Sequence, residues 1–240
     1  MIEDLVTVVI PTSPIPSHPS TAIIERTINS IRRHLPTASM HILCDGVRPE
    51  MEFRREQYTD YLNRAWAKCS EWNSSMSQFL LHSQQAGMLK ILLERGKIIT
   101  PLLFFCEHDA VLDEKHIDWD AIAQLLMSGE ANTVRLYWNA DPHPEHLHLM
   151  GERRSDFVKT IQWSGWPFIG RTDFYRQVMV DYFSGDDKKM LETVLYSPCV
   201  ELPWESFKTW IYCPPGNGVS FRHMDARRDP VTDAKDFGDW

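Results

Sequence analysis

The sequence predicts an α/β protein, a mostly parallel sheet flanked by helices. Three observations carry this: four short apolar runs within the first 106 residues, segments of helical period between them, and no linker or repeat to divide the chain. Residues 5–10, Leu-Val-Thr-Val-Val-Ile, are apolar on both faces and closed by Pro11, as in a buried strand. Residues 11–19 hold four prolines and form a loop. Ser20 or Thr21 then caps a helix whose Ile24, Ile28, Ile31 and Leu35 share a face, ended before Pro36.

Residues 40–44 are a second strand, broken by Asp45-Gly46. A long helix follows, with Phe53, Tyr58, Tyr61, Leu62, Ala65, Trp66 and Cys69 on one face. A third strand is expected at residues 78–81. Met88, Leu89, Leu92 and Leu93 mark the next helix, stopped by Gly96, and residues 102–106 are the fourth strand. Past residue 130 the alternation loosens. Strands are expected at 133–138 and 157–163, a Pro/His-rich loop at 141–148, a helix at 172–183, and a highly charged tail at 225–240.

The 240 residues carry 25 Lys and Arg against 33 Asp and Glu, a net charge of −8 that argues against a general polyanion binder. One core suffices at this length, and a single domain over residues 1–240 is expected. No apolar run reaches the ~18–20 residues of a membrane span, and Met1-Ile2-Glu3-Asp4 is acidic where a secretory signal is basic. A cytoplasmic protein without a transmembrane segment is the expectation. Five dispersed cysteines with no C-x-x-C pair argue against a disulfide framework or zinc ribbon.

No G-x-x-x-x-G-K-[ST] loop, G-x-G-x-x-G turn, G-x-S-x-G elbow or H-E-x-x-H helix is present. What stands out is Glu107-His108-Asp109, directly after the apolar run 102–106, so that two carboxylates leave the strand's carboxyl end. Hard oxygen ligands there suit Mg²⁺ or Mn²⁺ bridging nucleotide phosphates. His146 and His148 share one face of an extended segment and are a weaker zinc alternative. Trp163, Trp166 and Trp204 are candidate stacking platforms, while Trp66 and Trp119 read as packing residues.

With these motifs in order, the chain resembles the GT-A-fold glycosyltransferases, particularly the family 2-like inverting enzymes. Val9-Ile10-Pro11-Thr12 matches their first strand and nucleotide loop, Cys44-Asp45-Gly46 their base-reading aspartate, and Gln84-Gln85-Ala86-Gly87 their N-x-G-like turn, with Lys90 one turn on. Glu107-His108-Asp109 stands where they carry D-x-D. Residues 165–175 match their acceptor segment, Pro203-Trp204-Glu205 their base, and Phe221-Arg222-His223-Met224-Asp225 a late metal histidine. The first motif carboxylate is Glu rather than Asp, and glutamines replace the usual Asn.

The resemblance implies a GT-A-like, Rossmann-type sheet with a mixed acceptor-side half: residues 1–112 for a nucleotide-sugar and 113–240 for the acceptor. It implies Mn²⁺ or Mg²⁺ on Glu107, Asp109 and His223. Pro11, Thr12, Asp45, Gly87, Lys90 and Arg227 would bind a UDP- or dTDP-sugar, with Arg222 a further phosphate candidate. Trp166 and Gly170 would meet the acceptor, and Glu205 would act as base, with Glu201 and Asp173 in reserve. The acceptor classes are a saccharide or glycan, a lipid-linked saccharide, and a modified DNA base. A nucleotidyltransferase and a non-catalytic nucleotide-sugar or saccharide-binding module are the rival readings.

Overall fold

The computed structural model describes residues 2–114, 117–139, 141–183, 189–216 and 219–224. In chain order the elements are β1 (Val6–Thr12), α1 (Ala22–His34), β2 (Ser39–Cys44), α2 (Arg55–Lys68), β3 (Ser75–Gln78), α3 (Gln84–Glu94), β4 (Leu102–Phe105), β5 (Ala110–Leu112) and α4 (Trp119–Met127). There follow β6 (Thr133–Leu136), β7 (Met150–Arg154), β8 (Phe157–Thr160), β9 (Phe168–Arg171), α5 (Thr172–Tyr182), α6 (Leu191–Glu201), α7 (Trp204–Phe207), β10 (Thr209–Tyr212) and β11 (Phe221–His223). Nine strands form one sheet in the order β3-β2-β1-β4-β9-β6-β10-β8-β7, while β11 and β5 form a separate ladder. β9 and β8 run against their neighbours and the other strands share one direction.

The period of two along the central strands sorts the core into two layers. Val6, Val8 and Ile10 join Met40, Ile42, Leu102 and Phe104 under α1, α2 and α4. Val9, Leu43, Leu103 and Phe105 face α3, α5 and α6. Each such side chain is buried, which contributes roughly 1.5–3 kcal/mol apiece. α1 lays Ile24, Ile28 and Ile31 on the sheet and ends at Leu35, as the spacing predicts. Asp118 begins α4 by accepting the Ala121 N–H at 2.9 Å, a cap that satisfies one free helix-end donor.

Four sequence expectations need correction. The third strand is residues 75–78, because pairing of His41 with Ser75 through Cys44 with Gln78 ends it level with β2; Leu80 and Leu81 lie outside the sheet, 83% and 77% exposed. Phe53 and Trp66 face solvent, and the buried face of α2 is Tyr58, Tyr61, Leu62 and Ala65. The strand expected at 157–163 stops at Thr160, whose hydroxyl takes the Gln162 N–H. Residues 144–149 of the expected loop form a 3-10 turn. The tail at 225–240 lies outside the described residues. Among the described residues no helix is long and apolar enough to cross a membrane.

Candidate active site

Parallel strands gather ligands at their carboxyl ends, where the backbone leaves the sheet and side chains are free to converge. β1 and β4 lie side by side there, and the chain leaving β4 turns through residues 106–109 into β5. β5 pairs antiparallel with β11, with His223 opposite Ala110, and the Met224 N–H donates to the Asp109 carbonyl at 2.7 Å. This ladder places His223 Nε2 at 3.4 Å from Asp109 Oδ2 and 3.8 Å from Glu107 Oε2. Asp109 is buried, Glu107 half-buried and His223 exposed, so the group opens to one side.

One ligand atom from each of these residues lies within 4.8 Å of the others. Octahedral coordination at about 2.1 Å puts adjacent ligands about 3.0 Å apart and opposite ones about 4.2 Å apart, so the spacing fits one shared ion after small rotamer changes. Two carboxylates with one imidazole suit Mn²⁺, and Mg²⁺ with more water.

The group forms one wall of a cavity of about 360 Å³. Pro11, Thr12 and Ser13 from the end of β1 and Asp45 and Arg48 from the end of β2 form a second wall. Gln84, Gln85 and Met88 of α3 close the floor, with Met190 at the rim. Two larger hollows, behind β3 and along the exposed side of α2, lack the clustered carboxylates and imidazole. His108 also lines the cavity, and the buried His18 stacks on Tyr61 at 3.8 Å and Tyr58 at 5.2 Å between centroids.

Thus the structure brings together Pro11, Thr12, Asp45, Glu107, Asp109 and His223. Trp166 joins them: its ring meets Phe221 at 5.1 Å and His223 at 6.4 Å. Trp138, just past β6, stacks on Trp166 at 5.6 Å and on His143 at 6.3 Å.

Other expected residues do not reach the cavity. Lys90 Nζ donates to the Phe183 carbonyl at 2.7 Å, tying α3 to the end of α5. Gly87 lies inside α3, where a Cβ would meet Ser83 Cβ at 3.2 Å. Gly170 is a packing glycine of β9: a Cβ there would stand 2.3 Å from Tyr175 Cε2. Arg222 pairs with Asp113 at 3.3 Å. Arg227 lies outside the described residues.

Glu205 is on α7, ahead of β10, whose first residue Thr209 aligns with Thr133 and thereby with Gly170 and Leu103 at the amino end of β4. It therefore sits at the opposite edge of the sheet from Glu107. Trp204 beside it donates to the Thr209 carbonyl, and Trp163 is buried against Phe168, so neither is an open platform. The His146 and His148 segment holds no metal-ligating group among the described residues.

Sequence reasoning missed Arg48, Trp138, Met190 and Glu192. Glu192 opens α6, two residues after the cavity-lining Met190, and its Oε2 accepts the Gly165 N–H at 3.3 Å. Near it lies the buried Arg135, whose Nη1 donates to the Gln162 carbonyl and whose guanidinium burial pulls down to about 10. The spacing of Leu191, Leu195 and Cys199, four residues apart, was the available signal for α6, weakened by Pro198 inside it.

Sheet order, covering helices and the carboxyl-edge cavity define a GT-A-like α/β fold. No protein-family model matches the chain, and no curated protein sequence matches it. Among solved structures, S. aureus TarS residues 1–349 superposes with a TM-score of 0.54 at 12% identity, over 87% of this chain and 58% of that one. GalNAc-T7 with UDP, GalNAc and Mn²⁺ gives 0.51 at 12% identity, over 86% and 42%. UDP-glucose pyrophosphorylase with UDP-glucose gives 0.53 at 10% identity, over 96% and 98%. The chain spans about half the length of the TarS fragment and the GalNAc-T7 chain. At such identities the likeness is one of fold.

Proposed function

We propose that this protein is a family 2-like, inverting glycosyltransferase that moves a sugar from a nucleoside-diphosphate sugar to an acceptor hydroxyl. The observation that carries the reading is the convergence of Glu107, Asp109 and His223 in a cavity walled by the end of β1. Structures that share the fold hold UDP-GlcNAc, UDP with Mn²⁺, and UDP-glucose, which favours a UDP-linked donor over a dTDP-linked one.

Asp109, Glu107 and His223 would hold Mn²⁺ or Mg²⁺, which when bound supplies charge neutralisation to the departing diphosphate. The remaining work falls to the chain itself. Pro11, Thr12 and Ser13 wall the nucleoside, and Arg48 offers a guanidinium to phosphate oxygens from the rim. Trp166 and Trp138 give the acceptor a ring surface beside His223. The acceptor oxygen attacks the anomeric carbon as its bond to the diphosphate breaks, and Glu192 takes the hydroxyl proton, a contribution of about 10²–10⁴ in rate. Residues 1–112 serve the donor, with His223 reaching back to its cation, and the rest of 113–240 serves the acceptor: a glycan, a lipid-linked saccharide or a modified DNA base.

One observation favours a second reading, nucleotidyl transfer: the pyrophosphorylase matches over nearly its whole length. The loop at 11–19 weighs against it, because it has no glycine to let backbone N–H groups wrap a triphosphate. Product analysis separates these. UDP-, dTDP-, GDP- and CMP-sugars are incubated with Mn²⁺, with and without sugar acceptors. Nucleoside diphosphate is the expected product. Pyrophosphate-dependent formation of nucleoside triphosphate would replace the reading with nucleotidyl transfer, and donor binding without any product would leave a binding module.

A further inference from the structure

Asp45 stands at the head of a chain of contacts that ends on Glu107. Asp45 is 2% exposed, and both its carboxylate oxygens accept hydrogen bonds. Oδ1 accepts the N–H groups of Gly46 at 2.8 Å and Ser83 at 2.7 Å. Oδ2 accepts the Gln84 N–H at 3.1 Å and lies 2.7 Å from His82 Nδ1. A carboxylate offers about four lone-pair sites, and three backbone N–H donors take three of them, while the His82 ring stands against Oδ2 without a hydrogen bond of its own. The close approach that this requires is built in: a Cβ on Gly46 would stand 2.4 Å from the Leu81 carbonyl carbon.

These bonds fix the backbone of residues 82–84. Gln84, the first residue of α3, is held at φ 56, a left-handed setting unfavourable to a side-chain-bearing residue and therefore imposed by its surroundings. The direction in which α3 starts follows from it. The next residue, Gln85, consequently turns its amide toward the carboxylates, and its Nε2 donates to Glu107 Oε1. The other oxygen of Glu107, Oε2, is the one that faces His223. Gln85 Oε1 is buried without a hydrogen-bond partner, and reversing the amide would set that oxygen against the Glu107 carboxylate.

We propose that Gln85 is a positioning residue for Glu107, and that Asp45 positions Gln85 through the 82–84 backbone. Gln85 occupies Oε1 and leaves Oε2 free for the cation. The inference rests on Glu107 being a cation ligand, and it accounts for a glutamine rather than an aliphatic residue at 85, a part-buried position.

The test measures Mn²⁺ binding by calorimetry, in the absence of any donor, for the wild-type chain, Gln85→Met, Asp45→Asn and Asp109→Ala. Gln85→Met conserves length and removes both the donor and the orphan oxygen. It is expected to weaken Mn²⁺ about 10–100-fold, the usual cost of losing an outer-shell partner, with an unchanged melting temperature. Asp45→Asn is expected to weaken Mn²⁺ similarly. Because Asp45→Asn also threatens the turn itself, Gln85→Met decides the matter. Mn²⁺ affinity of Gln85→Met within twofold of wild type would overturn the inference, as would a folded Asp45→Asn that binds Mn²⁺ as tightly as wild type. Wild-type protein that takes up no Mn²⁺, or uptake unaffected by Asp109→Ala, would overturn the cation reading and this inference with it.

Discussion

His223 Nε2 lies 3.4 Å from Asp109 Oδ2 because β11 pairs in register with β5, not because the two residues are near in sequence. The ladder therefore assembles the candidate metal group. In Asp109→Ala the Mn²⁺-dependent part of the stabilisation by UDP-GlcNAc is expected to vanish. At 100 times its dissociation constant the ligand adds about 2.7 kcal/mol to the wild type. Melting curves with and without Mn²⁺ measure the difference.

Two glutamates separate the candidate base from a surface carboxylate. Glu192→Gln is expected to lower kcat about 10²–10⁴-fold with donor affinity retained. Glu205→Gln, at the far edge of the sheet, should leave kcat within about twofold. Steady-state rates with a working acceptor, alongside donor calorimetry, distinguish the two; equal losses in both variants would remove Glu192 from the role.

Gly170→Ala should act on stability alone. The added Cβ would meet the Tyr175 ring, itself buried and hydrogen-bonded through its hydroxyl to Thr133 Oγ1 at 3.1 Å. Overpacking at such a contact costs about 1–3 kcal/mol. Urea denaturation is expected to show that loss. An acceptor KM raised severalfold at constant stability would instead return Gly170 to the acceptor site.

His18 predicts a pH dependence. Burial, and after it the charges of His108 and Arg54, hold its imidazole down to about 3, against an unfolded value near 6.5. Between those pH values the unfolded chain binds a proton that the folded chain refuses. Stability is fully present above about 6.5 and falls as pH drops toward 3, by up to about 1.4 kcal/mol per unit from this group. His18→Phe keeps a ring for Tyr61 and should flatten the profile between pH 6.5 and 4. An unchanged slope there would refute the assignment.

Trp138 is the exposed member of the ring stack beside Trp166 and His223. Trp138→Ala should raise the acceptor KM about 5–10-fold, as expected from loss of a ring contact of about 1–1.5 kcal/mol. Donor affinity, measured by UDP-GlcNAc calorimetry, should hold.

Much of the first half was legible in the sequence because strand and helix periods are local. Residues 5–10 are apolar on both faces, and the Ile24, Ile28, Ile31 stripe allows one packing. Glu107 and Asp109 could be placed at a strand's carboxyl end for the same reason. The later half was less so: β9 runs against its neighbours, β10 returns beside β6, and α6 carries an internal proline, none of which periodicity encodes.

By itself, then, the sequence determined the α/β alternation, the carboxylate pair and the absence of other familiar catalytic motifs, since these depend on spacing along one chain. Tertiary structure decided which partners the site keeps. It sent Glu205 to the opposite edge, turned Lys90 onto a backbone carbonyl, bound Glu192 to the Gly165 N–H, and gave the Asp45 carboxylate the N–H groups of residues 46, 83 and 84. The physical reason is that strand order and register set which side chains converge. A buried carboxylate then takes the hydrogen bonds that its neighbours in space offer, whatever their distance along the chain.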